Sequence, residues 1–115
     1  MRFSPLQRLG KQREFLSVRN DGQKFHCGNF ILQVLVKEEN GDPLRRIGII
    51  ASRKTGNSVK RSRAKRVFRE IFRNNQNSLP SICDLVIVAF HSFDQASYQD
   101  LEQRFLKVCK QLNNG

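Results

Sequence analysis

Lys and Arg carry the chemistry that this sequence offers. Eleven of them (Arg45, Arg46, Arg53, Lys54, Lys60, Arg61, Arg63, Lys65, Arg66, Arg69 and Arg73) fall within residues 45–73, with Glu70 the only acid. That is 11 − 1 = +10 of a formal net charge of +11, in about a quarter of the 115 residues. Guanidinium and ammonium groups donate charge-assisted hydrogen bonds to phosphate oxygens, so this composition suits polyanion binding. A basic helix face that simply faces water is the ordinary alternative. Crowding and placement argue against it here.

The placement follows from spacing. From Ser58 onward, Ala64, Val67, Phe68, Ile71 and Phe72 recur at intervals of three and four, which predicts a helix with an apolar arc of roughly 140°. Arg61, Lys65, Arg69 and Arg73 line one border of that arc, while Lys60, Arg63 and Arg66 lie around the remainder. Asn57 or Ser58 can cap the helix, and Gly56 suits a tight turn into it. Its first turns then carry Lys60, Arg61 and Arg63, where the helix dipole disfavours each cation by about 0.3–1 kcal/mol. A helix shaped for stability alone would carry acids there. Backbone N–H groups and cations converging on one spot form a polyanion site.

Side-chain catalysis finds little support. The ten acids are scattered, no HExxH, GxSxG or phosphate-loop motif appears, and no acidic pair suggests a two-metal centre. His91 is a lone imidazole, more often a surface or packing residue than a general base. Cys27, Cys83 and Cys109 are too few and too scattered for a disulfide framework and fit reduced thiols. His26–Cys27 has no second pair at zinc-ligand spacing. No catalytic residue and no protein metal ligand is expected.

Residues 1–115 are expected to form a single domain, with 38% hydrophobic residues and nine Phe to build one core. A pI near 10.5 calls for RNA, DNA or an acidic membrane surface as partner. No apolar run approaches the roughly 20 residues of a membrane span, and no signal-peptide core is evident. A cytoplasmic protein without a membrane partner is expected. DNA is disfavoured as well, since the basic helix lacks a preceding helix and tight turn.

The remaining elements must position the basic helix. Residues 11–19 can form a short helix with Phe15 and Val18 on one face, followed by a turn at Asn20, Asp21 and Gly22. Residues 25–37 read as a strand in a central position, with a further short strand possible around Phe25. A turn at 38–43 then leads to a strand at 45–52, and these two are expected to pair as a hairpin. After the basic helix and a polar break at 74–80, residues 84–90 (DLVIVAF) read as a strand buried on both faces. Residues 97–112 form a closing helix, with Ser97 as cap and Tyr98, Leu101, Phe105, Val108 and Leu112 as its stripe. The sum is an α+β sandwich. Phe15 and Phe25 could stack on unpaired bases if exposed, and otherwise pack in the core.

The central stretch resembles the protein subunit of bacterial ribonuclease P. That family carries Lys-Lys-x-Gly-x-Ala-Val running into a helix with Arg-Asn-Arg, Lys-Arg and Arg-Glu. Here the stretch stands as Arg53-Lys54-Thr55-Gly56-Asn57-Ser58-Val59, then Arg61-Ser62-Arg63-Ala64-Lys65-Arg66-Val67-Phe68-Arg69-Glu70. Arg46-Ile47-Gly48-Ile49, Glu14-Phe15 with Val18 and Gly22, and Asp84-Leu85-Val86-Ile87 extend the likeness over nearly the whole chain, in order. The resemblance implies a two-layer sandwich of a mixed four-stranded sheet and three helices, in the order αβββαβα, with a left-handed βαβ crossover.

The activity it implies is endonucleolytic removal of the 5′ leader from precursor tRNA. The chain would be an accessory subunit, while a catalytic RNA and magnesium ions bound mainly by that RNA perform the hydrolysis. Arg53, Lys54, Lys60, Arg61, Ser62, Arg63, Lys65, Arg66 and Arg69 would then contact the catalytic RNA. Phe15 and Arg19 would line the cleft for the single-stranded leader, and the chain would act as a monomer in a 1:1 ribonucleoprotein. Two departures stand out. Ser62 replaces the motif's Asn and lacks the bidentate reach of an amide. Arg19 stands where the family often has a second cleft aromatic, and offers a stacking guanidinium instead. The rival readings are a small basic ribosomal or generic RNA-binding protein without a role in cleavage, and a nuclease acting alone.

Overall fold

The computed structural model describes residues 5–38 and 43–114. Its strands are Gln23–His26 (β1), Phe30–Val36 (β2), Leu44–Ile50 (β3) and Ile82–Ala89 (β4). Its helices are Gln12–Asp21 (α1), Ser58–Asn75 (α2) and Tyr98–Asn114 (α3), with short 3-10 turns at Pro5–Gln7, Gln76–Ser78 and His91–Gln95. The order is αβββαβα, as expected. The strands form one mixed sheet in the order β1-β2-β4-β3. β1, β2 and β4 run antiparallel, while β3 lies parallel to β4 and is joined to it through α2.

Alternation along the strands sends their side chains to two faces. On one face Leu32, Val34, Ile47, Leu85 and Ile87 meet Ala64, Phe68, Ile71 and Phe72 of α2, with Leu101, Phe105 and Val108 of α3. These two layers are the expected sandwich. On the opposite face Val86, with Leu35 and Val88, meets Leu9, Phe15 and Val18, which brings α1 against the back of the sheet.

The expected hairpin between residues 25–37 and 45–52 is not formed. β4 lies between β2 and β3, because the strand most apolar on both sides gains most from neighbours on both edges. β3, with Leu44 exposed and Arg45 and Arg46 half-buried, takes the edge. The hairpin that does form is β1–β2, where Gly28 adopts a φ of +83° and breaks the anticipated long strand in two. Helix α1 runs through the anticipated turn to Asp21 and stops at Gly22. A Cβ on Gly22 would lie 2.5 Å from the Val18 carbonyl oxygen and 2.7 Å from that of Val34. The anticipated turn at 38–43 falls largely on residues 39–42, outside the described residues.

Local capping matches the sequence chemistry. The Asn57 side chain accepts a hydrogen bond from the Lys60 amide at 2.9 Å, and Ser97 accepts one from the Asp100 amide at 3.1 Å. The carboxylate of Glu14 accepts from the amides of Lys11 (2.9 Å) and Gly10 (3.1 Å), closing the start of α1.

Candidate nucleic-acid interface

Helix α2 buries Ala64, Phe68, Ile71 and Phe72, which forces its cations outward or to the borders. Arg63, Arg66 and Ser62 are exposed, as are Arg53 and Lys54 in the loop before the helix. Lys60, Arg61, Lys65 and Arg69 are half-buried along the edges of the apolar arc. Two shallow grooves follow the outer face, one lined by Ser62, Arg66, Arg69, Arg73 and the single acid Glu70, the other by Ser58, Val59, Ser62, Arg63 and Arg66. Burial, and then the charge of Arg8, lower the pKa of Arg69 from its ordinary value. The Arg61 Nε–H is buried with no hydrogen-bond partner among the described residues.

Not every cation of the basic stretch faces outward. Arg46 bonds both oxygens of buried Asp84, at 2.8 and 2.7 Å, and also pairs with Glu14, tying β3 to β4 and to α1. Lys37 reaches the same Asp84 at 3.0 Å. The Asp84 hydrogen bond leads in raising the Arg46 pKa. Arg45 donates to the carbonyls of Pro80 (3.0 Å) and Leu79 (3.2 Å). Lys60 faces Asp94 at 3.4 Å and the His91 ring at 3.3 Å, and its ammonium sits 5.9 Å from the centre of the Phe93 ring. Thus Arg45 and Arg46 bind the protein itself, and Lys60 is partly neutralised. His91 also contacts the Thr55 carbonyl at 3.1 Å, and the Thr55 hydroxyl donates to the Ala89 carbonyl at 2.8 Å, so this group anchors the loop before α2. Gly56, at φ +150°, turns that loop into the helix.

On the other face of the sheet lies a cleft of about 370 Å³ between α1 and the strands. Phe15, Leu16, Arg19 and Gln12 form its helical wall; Ile31, Gln33, Ile50, Val86, Val88 and Lys24 form its floor and far rim. Phe15 and Arg19 are therefore brought together, one turn apart, as anticipated. The two alternatives for Phe15 prove compatible. One side of its ring lies on Gly48, where a Cβ would come within 2.4 Å of it, and the half-buried ring still borders the cleft. Phe25 points the other way and packs against the core under α3. Sequence reasoning missed Gln33, Lys24, Ile31 and Ile50 as cleft residues. Their only signal was alternation, since the outward parity of β1, β2 and β3 became a cleft floor and rim once α1 crossed the sheet.

Among the described residues no three His, Cys, Asp or Glu side chains come together to hold a metal. Burial is the main cause that pushes the thiols up, to about 11 at Cys27 and Cys109 and about 12 at Cys83. They stay neutral at ordinary pH, whereas thiolate is the ligating form.

Fold and surfaces together define a class: small basic α+β proteins that present a cationic helix on one side of a sheet and a cation-rimmed apolar cleft on the other. A family model described as ribonuclease P matches residues 3–113. The chain belongs to the ribonuclease P protein family. It is 37% identical over 87 residues to the ribonuclease P protein component of Oleidesulfovibrio alaskensis, covering 76% of this chain and 69% of that one. It is 35% identical over 111 residues to that of Geotalea uraniireducens, covering 96% and 95%. The solved structure of the RNase P protein from Thermotoga maritima superposes with a TM-score of 0.75 at 28% identity, covering 90% of this chain and 96% of that one. The sheet, the three helices and the crossover agree with that fold.

Proposed function

We propose that this chain is the protein subunit that assists a catalytic RNA in endonucleolytic removal of the 5′ leader from precursor tRNA. The outer face of α2, with the loop before it, binds the catalytic RNA through Arg53, Lys54, Arg61, Arg63, Lys65, Arg66 and Arg69. Ser62 adds a hydroxyl, and Lys60 adds charge where Asp94 releases it. The cleft holds the unpaired leader, with the Phe15 ring and Arg19 guanidinium stacking on bases and Lys24 and Arg19 meeting phosphates. Hydrolysis belongs to the RNA and its magnesium ions. The protein lowers repulsion between two polyanions and holds the leader extended, acting as a monomer in a 1:1 complex.

The observation that carries this reading is the separation of the two surfaces: the cationic helix and the cleft occupy opposite faces of one sheet, so both RNAs can be held at once.

The test is precursor cleavage at low magnesium with the catalytic RNA alone, the chain alone, and both together. A large gain only with both is expected. Arg63→Ala should weaken assembly with the catalytic RNA, and Phe15→Ala should weaken leader binding by roughly tenfold while sparing assembly. Equal activity with and without the chain would leave only the generic RNA-binding reading, and cutting by the chain alone would overturn the division of labour.

A further inference from the structure

A second cavity, of about 520 Å³, opens at the other end of the sheet between β1 and α3. Lys24, His26, Arg104 and Lys107 surround it, with Phe25 and Val108 at its base, and no acid lines it. Arg104 is fixed in place: its Nη1 donates to the Cys27 carbonyl at 3.4 Å and to the Asn29 side chain. The turn can approach the guanidinium this closely because it carries Gly28, whose Cβ would lie 3.1 Å from Nη1. The rest of the planar fork, Nε and Nη2, has no hydrogen-bond partner among the described residues, so pre-positioned donors remain for a phosphate. Among the described residues β1 is an edge strand that pairs only with β2, so no other described strand takes up its outer amides and carbonyls.

Lys24 borders both this cavity and the cleft, so the two form one path around the β1 edge. We propose that the β1 edge and the basic side of α3 bind the upstream continuation of the single-stranded leader whose first part lies in the cleft. This inference rests on the leader-binding role proposed above. Cations without acids match a phosphate backbone, and continuity with the cleft selects the leader as the RNA that arrives there.

Lys107→Glu tests the path, with Lys110→Glu as a control that makes the same charge change on an exposed α3 residue outside the cavity. The holoenzyme is titrated with precursors whose leaders lengthen one nucleotide at a time. Lys107→Glu should leave the shortest leaders within about twofold of the parent, then weaken binding about fivefold beyond a threshold length, and lower the salt slope by about one. Lys110→Glu should show no such threshold. A penalty independent of leader length, or one on catalytic RNA binding alone, would assign the surface to the catalytic RNA and overturn the proposal, as would no penalty at all. The role beneath it is checked separately. If Phe15→Ala leaves every leader unaffected, the cleft itself does not hold the leader.

Discussion

The ring of Phe15 is flattened against Gly48, and the two positions depend on each other. A methyl group at 48 would lie 2.4 Å from the ring and 3.2 Å from the Leu9 Cβ, so Gly48→Ala must expel the ring or bend the strand. It should cost about 1–3 kcal/mol in denaturant unfolding and weaken leader binding in parallel. Unchanged stability would mean that the ring moves aside freely. Glu14, one residue earlier, links the start of α1 to Arg46. Its pKa is lowered chiefly by the hydrogen bond from the Lys11 amide, with Gly10 and Arg46 adding to the effect against some desolvation. A depressed carboxylate contributes stability that is complete above its ordinary value of 4.5 and is lost as pH falls through the lower folded value. Glu14→Gln should therefore lower stability at neutral pH and flatten its decline in acid, as read by unfolding midpoints across that range. The sequence marked Glu14, Phe15 and Gly48 only as pieces of the family likeness; the contacts that couple them, ring to glycine and carboxylate to Arg46, come from segments more than 30 residues apart.

At the scale of the element, α2 is the clearest case of a legible helix. Its period of three to four and its cap both predicted the observed start at Ser58. Its first turns are strained electrostatically by Lys60 and Arg61, which makes the Asn57 cap more consequential. Asn57→Ala should cost about 1 kcal/mol of stability. RNA should offset part of that loss by supplying phosphate at the same helix end, so the unfolding midpoint of the complex should drop less than that of the free chain. A drop of equal size in both would place the RNA elsewhere. The strands were less legible. Period-two alternation located them and identified the buried β4, yet partner choice depends on contacts remote in sequence. β2 and β3, consecutive along the chain, were separated by a strand 32 residues after β3, counted from Ile50 to Ile82.

For the molecule as a whole, a net charge of +11 sets two salt responses of opposite sign. Screening relieves self-repulsion in the free protein, so modest salt should raise its melting temperature. The Arg46–Asp84 pair is sheltered from salt by burial of the carboxylate. The same salt should weaken RNA binding steeply: with some six to eight phosphate contacts, affinity should fall about 10³-fold or more between about 50 and 200 mM. Titrating both quantities in one salt series checks the pair. A flat binding curve would contradict phosphate-dominated recognition.

What the sequence determined by itself was local: the helix period, the caps, the buried strand, the concentration of charge and the family motif, each carried by residues close enough along the chain to act together. The tertiary structure alone decided which cations are free. Arg45 and Arg46 look identical to Arg63 and Arg66 in sequence, but the first two turn inward to carbonyls and to Asp84 while the others meet solvent. It also made the cleft, because a cleft is the gap between α1 and a sheet whose strands lie up to 73 residues further along the chain, counted from Phe15 to Val88. The physical reason is the same in both cases. A side chain's role depends on what the fold sets against it, and that neighbour comes from elsewhere in the chain.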